Sequence, residues 1–272
     1  MRNLPSLQQL ERLANTVYET YGQDFRNYSR SSMARRVAVT MSQQKLDDFD
    51  RFHGQVVGDP EIFHELMKNL SINVTSMFRG PQVWRYLREK VVPMLATYPH
   101  IRIWSAGMST GAEPWSLAIL LREAGLLERS LIYATDFNPA VVRQASQGAF
   151  SLESMADYTR NYIESGGQAA FSKYYTANQL LAHLDPTLKE NIVFSSHNLA
   201  TDGVFNEFHL ILCRNVLIYF DDQLTNRVLQ LFHDSLAERG YLTLGCKEQL
   251  RFHRAGRYFE NLHNQYKVYR KL

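Results

Sequence analysis

Two glycines and an acid are spaced so that together they could hold a polar ligand at the end of a sheet. Gly107 and Gly111 bracket a turn between an apolar run, Arg102–Ala106, and a helix-forming run that opens with Glu113 and Pro114. Glycine lets backbone approach a ligand closely, Pro114 suits the first turn of a helix, and a helix N-terminus presents unpaired N–H groups. Twenty-five positions beyond Gly111 a second apolar run, Leu131–Thr135, ends in Asp136. An acid placed there can accept hydrogen bonds from both hydroxyls of a ribose. The competing role for Asp136 is a helix cap ahead of Pro139.

Several ligand chemistries compete for the first turn. Gly107-Met-Ser-Thr-Gly111 matches the G-x-S-x-G elbow of hydrolases, with Ser109 as nucleophile. That elbow follows several strands, whereas the region before this turn reads as helical, so the context argues against it. A dinucleotide site requires G-x-G-x-x-G and a P-loop requires Gly-Lys-Ser/Thr, and the turn supplies neither. What remains is a nucleoside held without a pyrophosphate, for which S-adenosylmethionine is the common ligand on a strand-turn-helix frame.

The elements that must position these residues follow from periodicity. From Leu4 to about Val91 apolar residues recur at helical steps, as in Leu7, Leu10, Leu13, Val17 and Tyr21 and again in Phe63, Leu66, Met67 and Leu70. After Pro99 strands alternate with helices: Arg102–Ala106, Leu131–Thr135, Ile192–Ser196, His209–Cys213 and Tyr241–Leu244 read as strands of a mostly parallel sheet. The stretch between Asp136 and Ile192 is too long for one crossover helix, which places an inserted subdomain at about 150–190. Within it Ser165-Gly-Gly167 and Asp185-Pro186 mark turns and Ser172–Thr176 reads as a strand. The alternating Gln265–Lys271 run reads as an antiparallel edge strand that closes the sheet.

Composition sets the outer limits. The 272 residues are 45% hydrophobic with a formal charge of +3, enough for a substantial core and too weakly basic to argue for nucleic acid. Two cysteines, Cys213 and Cys246, in apolar surroundings do not make a disulfide framework. The N-terminus lacks the apolar core of a signal peptide, and no apolar run reaches the roughly 18 residues that span a bilayer. The expected location is the cytoplasm, without membrane insertion.

Three segments carry a family resemblance. Asn73-Val-Thr-Ser-Met-Phe-Arg79 resembles an Asn-x-Thr-x-Phe-Phe-Arg motif. Ser105–Leu117 resembles a Ser-Ala-x-x-Ser-Thr-Gly-Glu-Glu-Pro-Tyr-Ser-Ile loop. Leu212-Cys-Arg-Asn-Val-Leu-Ile-Tyr-Phe-Asp221 resembles a Cys-Arg-Asn-Val-x-Ile-Tyr-Phe-Asp signature. All three, in this order, belong to the CheR family of chemotaxis receptor methyltransferases. The resemblance implies an α/β fold: a Rossmann-like S-adenosylmethionine-dependent methyltransferase with an all-helical N-terminal domain, residues 1–85, and a methyltransferase domain, residues 86–272, carrying the small inserted β-subdomain.

The activity so implied is transfer of a methyl group from S-adenosylmethionine to glutamates on the cytoplasmic helical bundle of chemoreceptors, giving γ-methyl esters and S-adenosylhomocysteine. A glutamate with a reference pKa of about 4.3 is already ionised at neutral pH and needs no general base. By the same resemblance Arg79 and Tyr219 are the catalytic candidates, the arginine because its planar fork matches a carboxylate. Asn73, Thr75, Arg79, Glu113, Asp136, Asn198, Leu199, Arg214 and Asn215 are the expected cofactor contacts, with no metal. Val216, Leu217, Ile218 and Phe220 read as packing.

The chain departs from the family pattern in places. Ala112-Glu113 stands where two acids are usual, Trp115 replaces a tyrosine, and Gly245-Cys-Lys-Glu248 replaces Gly-His-Ser-Glu. These departures keep open a rival reading, a catalytically weak S-adenosylmethionine-binding signalling module that docks on receptors. Arg26, Arg30, Arg35 and Arg36 form a run without acids that either faces solvent or steers an acidic receptor surface inward. A small-molecule carboxyl methyltransferase would not need that basic surface.

Overall fold

The computed structural model describes residues 4–70 and 75–272. The chain divides into two compact units, Met1–Asn73 with Leu217–Val228, and Val74–Val216 with Leu229–Leu272.

The first unit is built on α1 (Leu7–Tyr21), α2 (Arg30–Gln43), α3 (Phe49–Gly58) and α4 (Pro60–Leu70). A capping box starts α1: Ser6 accepts from the Gln9 N–H while the Gln9 side chain accepts from the Ser6 N–H. Gly22, at φ 69°, stops it. The buried stripe of α1 is Leu10, Leu13, Ala14 and Val17. Leu7 belongs to the same period but is 56% exposed, because the first turn overhangs the core. Tyr21 stacks on Phe63 with ring centres 3.6 Å apart, and the Asn69 amide donates to Thr40 Oγ1 and Gln43 Oε1, fastening α4 to α2. The later segment joins by backbone pairing: the Ser29 N–H donates to the Tyr219 carbonyl at 2.7 Å and the Asp221 N–H to the Asn27 carbonyl at 2.9 Å.

The second unit carries α5 (Pro81–Tyr86), α6 (Val92–Leu95), α7 (Ala112–Glu123), α8 (Pro139–Ser146), α9 (Met155–Glu164) and the last turns of α10 (Asp222–Ser235). Its strands, in chain order, are β1 (Ile101–Ala106), β2 (Ser130–Asp136), β3 (Ala149–Ser151), β4 (Tyr175–Ala177), β5 (Leu181–Leu184), β6 (Ile192–Ser196), β7 (Phe208–Cys213), β8 (Leu236–Leu244), β9 (Phe259–His263) and β10 (Val268–Lys271). Seven form one sheet in the order β6-β2-β1-β7-β8-β10-β9. The first five are parallel, while β10 runs antiparallel to both of its neighbours. Central strands covered on both faces are mostly apolar, and every residue of β7 is buried, His209 included.

The order reverses at β1, with β2 on one side and β7 on the other. This is the switch point where open α/β sheets bind ligands at their carboxyl ends. Helices α7 and α8 start directly after β1 and β2, so the turns that precede them sit at that edge.

Three sequence expectations change. The final strand is not at the edge: β9 lies outside it, since the β9-β10 hairpin adds two antiparallel strands. The strand expected at Tyr241 begins at Leu236. Ser172–Thr176 is strand only in its last two residues: Phe171–Tyr174 form a 3-10 turn and β4 starts at Tyr175. Phe171 and Tyr174 both pack on Tyr162, at 5.0 and 5.9 Å, and residues three apart share a face on such a turn but not on a strand. Between β2 and β6 lies a separate three-stranded antiparallel sheet, β3-β5-β4. No helix among the described residues is long and apolar enough to cross a membrane.

Candidate functional site

The turn after β1 folds as it does because neighbours crowd it on both sides. The N–H groups of Gly107 and Met108 donate to the Thr135 carbonyl, both at 2.9 Å, locking the turn to β2. A Cβ on Gly107 would meet Val216 Cγ2 at 2.6 Å, and one on Gly111 would meet Ala145 Cβ at 2.8 Å. Both glycines also have positive φ, 69° and 89°. Space and conformation therefore exclude a side chain at either position. Ser109 follows the first strand of the sheet at φ 55°, and its N–H donates to Asp136 Oδ2 at 3.0 Å. No strand among the described residues precedes β1, so the strand order of a hydrolase elbow is missing.

Asp136 ends β2 and is buried. Its Oδ2 accepts from Ser109 and its Oδ1 from the Asn138 N–H at 3.2 Å. The cap of α8 is Asn138, whose side chain accepts from the Ala140 N–H, so Asp136 is not the helix cap. Burial pushes its carboxyl above the ordinary range, and the N–H groups of Asn138, Ser109 and Phe137 restrain that rise. The carboxylate's remaining acceptor capacity is available to a hydroxyl.

Glu113 lies in the first turn of α7. Its Oε1 accepts from Ser105 Oγ at 2.8 Å and its Oε2 lies 3.6 Å from an Arg214 guanidinium nitrogen. Burial pushes the Glu113 carboxyl up, and Arg214, Ser105 and Arg79 pull it back. Ala112 beside it is fully buried, with its carbonyl accepting from Ser116 Oγ, so a second acid there would require a partner of its own. Trp115 is also buried: its indole donates to the Ala145 carbonyl at 2.9 Å and fills the space against Gly148.

Arg214 follows β7, buried to 7% side-chain exposure and 5.9 Å from the centre of the Trp84 ring. One of its amino groups donates to the Arg79 carbonyl at 2.7 Å, which also accepts from the Trp84 indole at 3.2 Å. The Arg214 Nε is buried without a hydrogen-bond partner among the described residues. Just upstream, the N–H of buried Phe78, at φ 51°, donates to Ser116 Oγ, and the Met77 carbonyl accepts from Asn161. The backbone of Arg79 is thus pinned on both sides while its side chain is exposed.

Asn215 stands at φ 62°, its N–H donating to Glu248 Oε2 at 3.1 Å; the Gly245 N–H donates to the same oxygen at 2.5 Å. Glu248 and Ser105 thereby hold the site's loops, a role not evident from the sequence. A retained acid inside an altered Gly-Cys-Lys-Glu segment was the available signal for Glu248. Asn198 follows β6 and folds its own turn: its Oδ1 accepts from the Ala200 N–H, and its carbonyl from the Asp202 N–H. Leu199 is buried and Thr75 half-buried.

The structure therefore brings Glu113, Asp136, Asn198, Leu199, Arg214 and Asn215 to the carboxyl ends of β1, β2, β6 and β7, and joins Arg79 to them through Arg214. Asn73 lies outside the described residues. Tyr219 belongs to the other unit, half-buried, with its carbonyl on Ser29. Of its neighbours Leu217 is buried, but Ile218, expected to pack, is 39% exposed. In that unit Arg26 pairs with Asp24 at 2.8 Å over the Tyr18 ring, and Arg30 lies 3.7 Å from Glu11. Arg35 and Arg36 form no ion pair among the described residues.

Comparison with known proteins identifies the family. Residues 73–268 match the family model described as CheR methyltransferase, SAM binding domain, and residues 8–71 match the CheR methyltransferase all-alpha domain. The chain is 46% identical, over 95% of both chains, to the provisionally named methyltransferase Cher3 of Pseudomonas putida. It is 32% identical to the chemotaxis protein methyltransferase of Listeria innocua, covering 86% of this chain and 87% of that one. With the chemotaxis protein methyltransferase of Salmonella typhimurium the identity is 28%, over 87% and 82% of the two chains.

Proposed function

Because this chain belongs to the CheR methyltransferase family, we propose that it esterifies glutamate side chains on the cytoplasmic helical bundle of chemoreceptors, using S-adenosylmethionine, in chemotactic adaptation. The observation that carries this reading is the set of strand-end residues around the Gly107–Gly111 turn. Asp136 is fixed by backbone N–H groups and keeps acceptor capacity for a ribose hydroxyl. The buried, unpaired Arg214 Nε suits an anionic group such as an amino-acid carboxylate. These features fit a nucleoside that carries an amino acid. Asn73, Thr75, Glu113, Asn198, Leu199 and Asn215 are the further proposed contacts.

The cofactor supplies an electrophilic methyl group on a sulfonium. The protein's own task is orientation and exclusion of water, since the acceptor carboxylate is ionised without help. Arg79, offered from a pinned backbone, orients a carboxylate through its guanidinium fork. Tyr219 is assigned to the acceptor by family resemblance. Arg35 and Arg36 are the proposed docking residues, because Arg26 and Arg30 already have acidic neighbours in their own unit. The test is mass spectrometry of a receptor cytoplasmic fragment after incubation with enzyme and S-adenosylmethionine. Glutamates gaining one methyl group, and a loss of about 10- to 100-fold in rate for Arg79→Ala, are expected from removal of a charged hydrogen bond. An unmodified fragment would sink the proposal.

A further inference from the structure

Away from the strand-end site, residues 249–256 and the β9-β10 hairpin enclose a cavity of about 120 Å³. Its polar lining is Gln249, Arg251, Asn261, Asn264, Lys267 and Tyr269, two cations and no acid. Arg251, Asn261 and Asn264 are exposed and make the mouth, whereas Lys267 and Tyr269 are buried.

Lys267 is the unusual group. It is only 7% exposed, and its ammonium donates one hydrogen bond among the described residues, to Asn264 Oδ1 at 3.1 Å. An ammonium carries three donors, and burying one without a counter-charge is costly. The nearby carboxylates are engaged elsewhere: Glu248 accepts from the Gly245 and Asn215 N–H groups, and Glu260 pairs with Arg270. Lys267 also sits at φ 52°, where glycine or asparagine would be easier, while its carbonyl accepts from the Leu244 N–H at 3.0 Å. Backbone strain and a buried, under-partnered charge coincide at a cavity with room for more than a single water.

We propose that this cavity binds a small oxyanion of the phosphate type, its charge met by Lys267 and Arg251 and its oxygens by the amides of Gln249, Asn261 and Asn264. Two cations and three amide donors offer more hydrogen bonds than the two oxygens of a carboxylate would use, and a tetrahedral dianion matches both the charge and the number of donors.

The experiment is thermal unfolding of the full chain in sodium phosphate, against sodium chloride of equal ionic strength and against sodium acetate. At tenfold excess over Kd, phosphate should raise Tm by about 2 to 3 °C. The rise should vanish in Lys267→Gln and shrink in Arg251→Gln; the latter changes an exposed side chain and serves alone should the buried substitution fail to fold. A wild-type response equal to that in chloride, or an undiminished response in Arg251→Gln, would overturn the site. An acetate response as large as that to phosphate would overturn the dianion assignment. None of these readouts depends on methyl transfer, so their failure is separate from that of the proposed activity.

Discussion

Asp136 shows how one side chain can serve the fold and a ligand together. Its two oxygens hold the turn after β1 and the start of α8 in place, and that fixes the carboxylate in a single orientation. A ligand then meets an acceptor whose ordering cost is already met by the fold. Asp136→Ala should weaken S-adenosylhomocysteine binding by about 10- to 100-fold, the scale of hydrogen bonds to a charged group. Titration calorimetry reads this directly, and an unchanged Kd in a folded variant would remove the residue from the site. Asp136, Gly107 and Gly111 were legible in the sequence because their types answer backbone demands at strand ends, whereas Glu113 was named only through the family resemblance. Ser105 and Glu248 were not, since a strand serine and an acid in a loop gain their roles only from partners far along the chain.

At the scale of elements, Glu123 at the end of α7 gathers what flanks the inserted sheet. Its carboxylate accepts from Tyr162 of α9, from Tyr174 at 3.0 Å and from the Gln168 N–H at 3.0 Å, and it pairs with Arg88 at 2.7 Å. Burial would raise its pKa, but the bonds from Tyr162, Gln168 and Arg88 outweigh burial and hold it below the ordinary range. A carboxyl with a depressed folded-state pKa gives stability that is fully present above its unfolded value, about 4.3, and is lost as pH falls through the folded value. Glu123→Gln should therefore cost about 1 to 3 kcal/mol at neutral pH and less as pH drops below about 4. Denaturant unfolding across that range checks it; a cost independent of pH would contradict the linkage.

The same scale explains what could be read of the architecture. Strands β1, β2 and β7 announce themselves as largely apolar runs because both faces are covered, whereas β6, at the edge of the sheet, buries only Ile192 fully. By contrast β9 and the short β3, β4 and β5 mix exposed and buried residues over three to five positions, too few for a period to show.

For the molecule as a whole, the proposed meeting with a receptor rests on charge. Arg26 and Arg30 have acidic neighbours within their own unit, which the one-sided charge run did not disclose because Asp24 and Glu11 lie outside it. Arg35 and Arg36 remain for an acidic partner. Arg35→Glu with Arg36→Glu should raise the KM for receptor substrate about tenfold at low salt, leaving S-adenosylhomocysteine affinity unchanged, and the effect should fade as salt screens it. Equal KM values for variant and parent at low salt would remove the docking role.

The claim on which the rest depends is that a glutamate carboxylate is the acceptor. Receptor-containing membranes incubated with the protein and S-adenosylmethionine tritiated in its methyl group, then treated with mild alkali, measure it directly. The account predicts protein-bound label that alkali releases as volatile methanol, and loss of that label when Arg79 is replaced by alanine. Label that resists alkali, or no label on receptor while S-adenosylhomocysteine still binds, would contradict it and leave a docking module in its place.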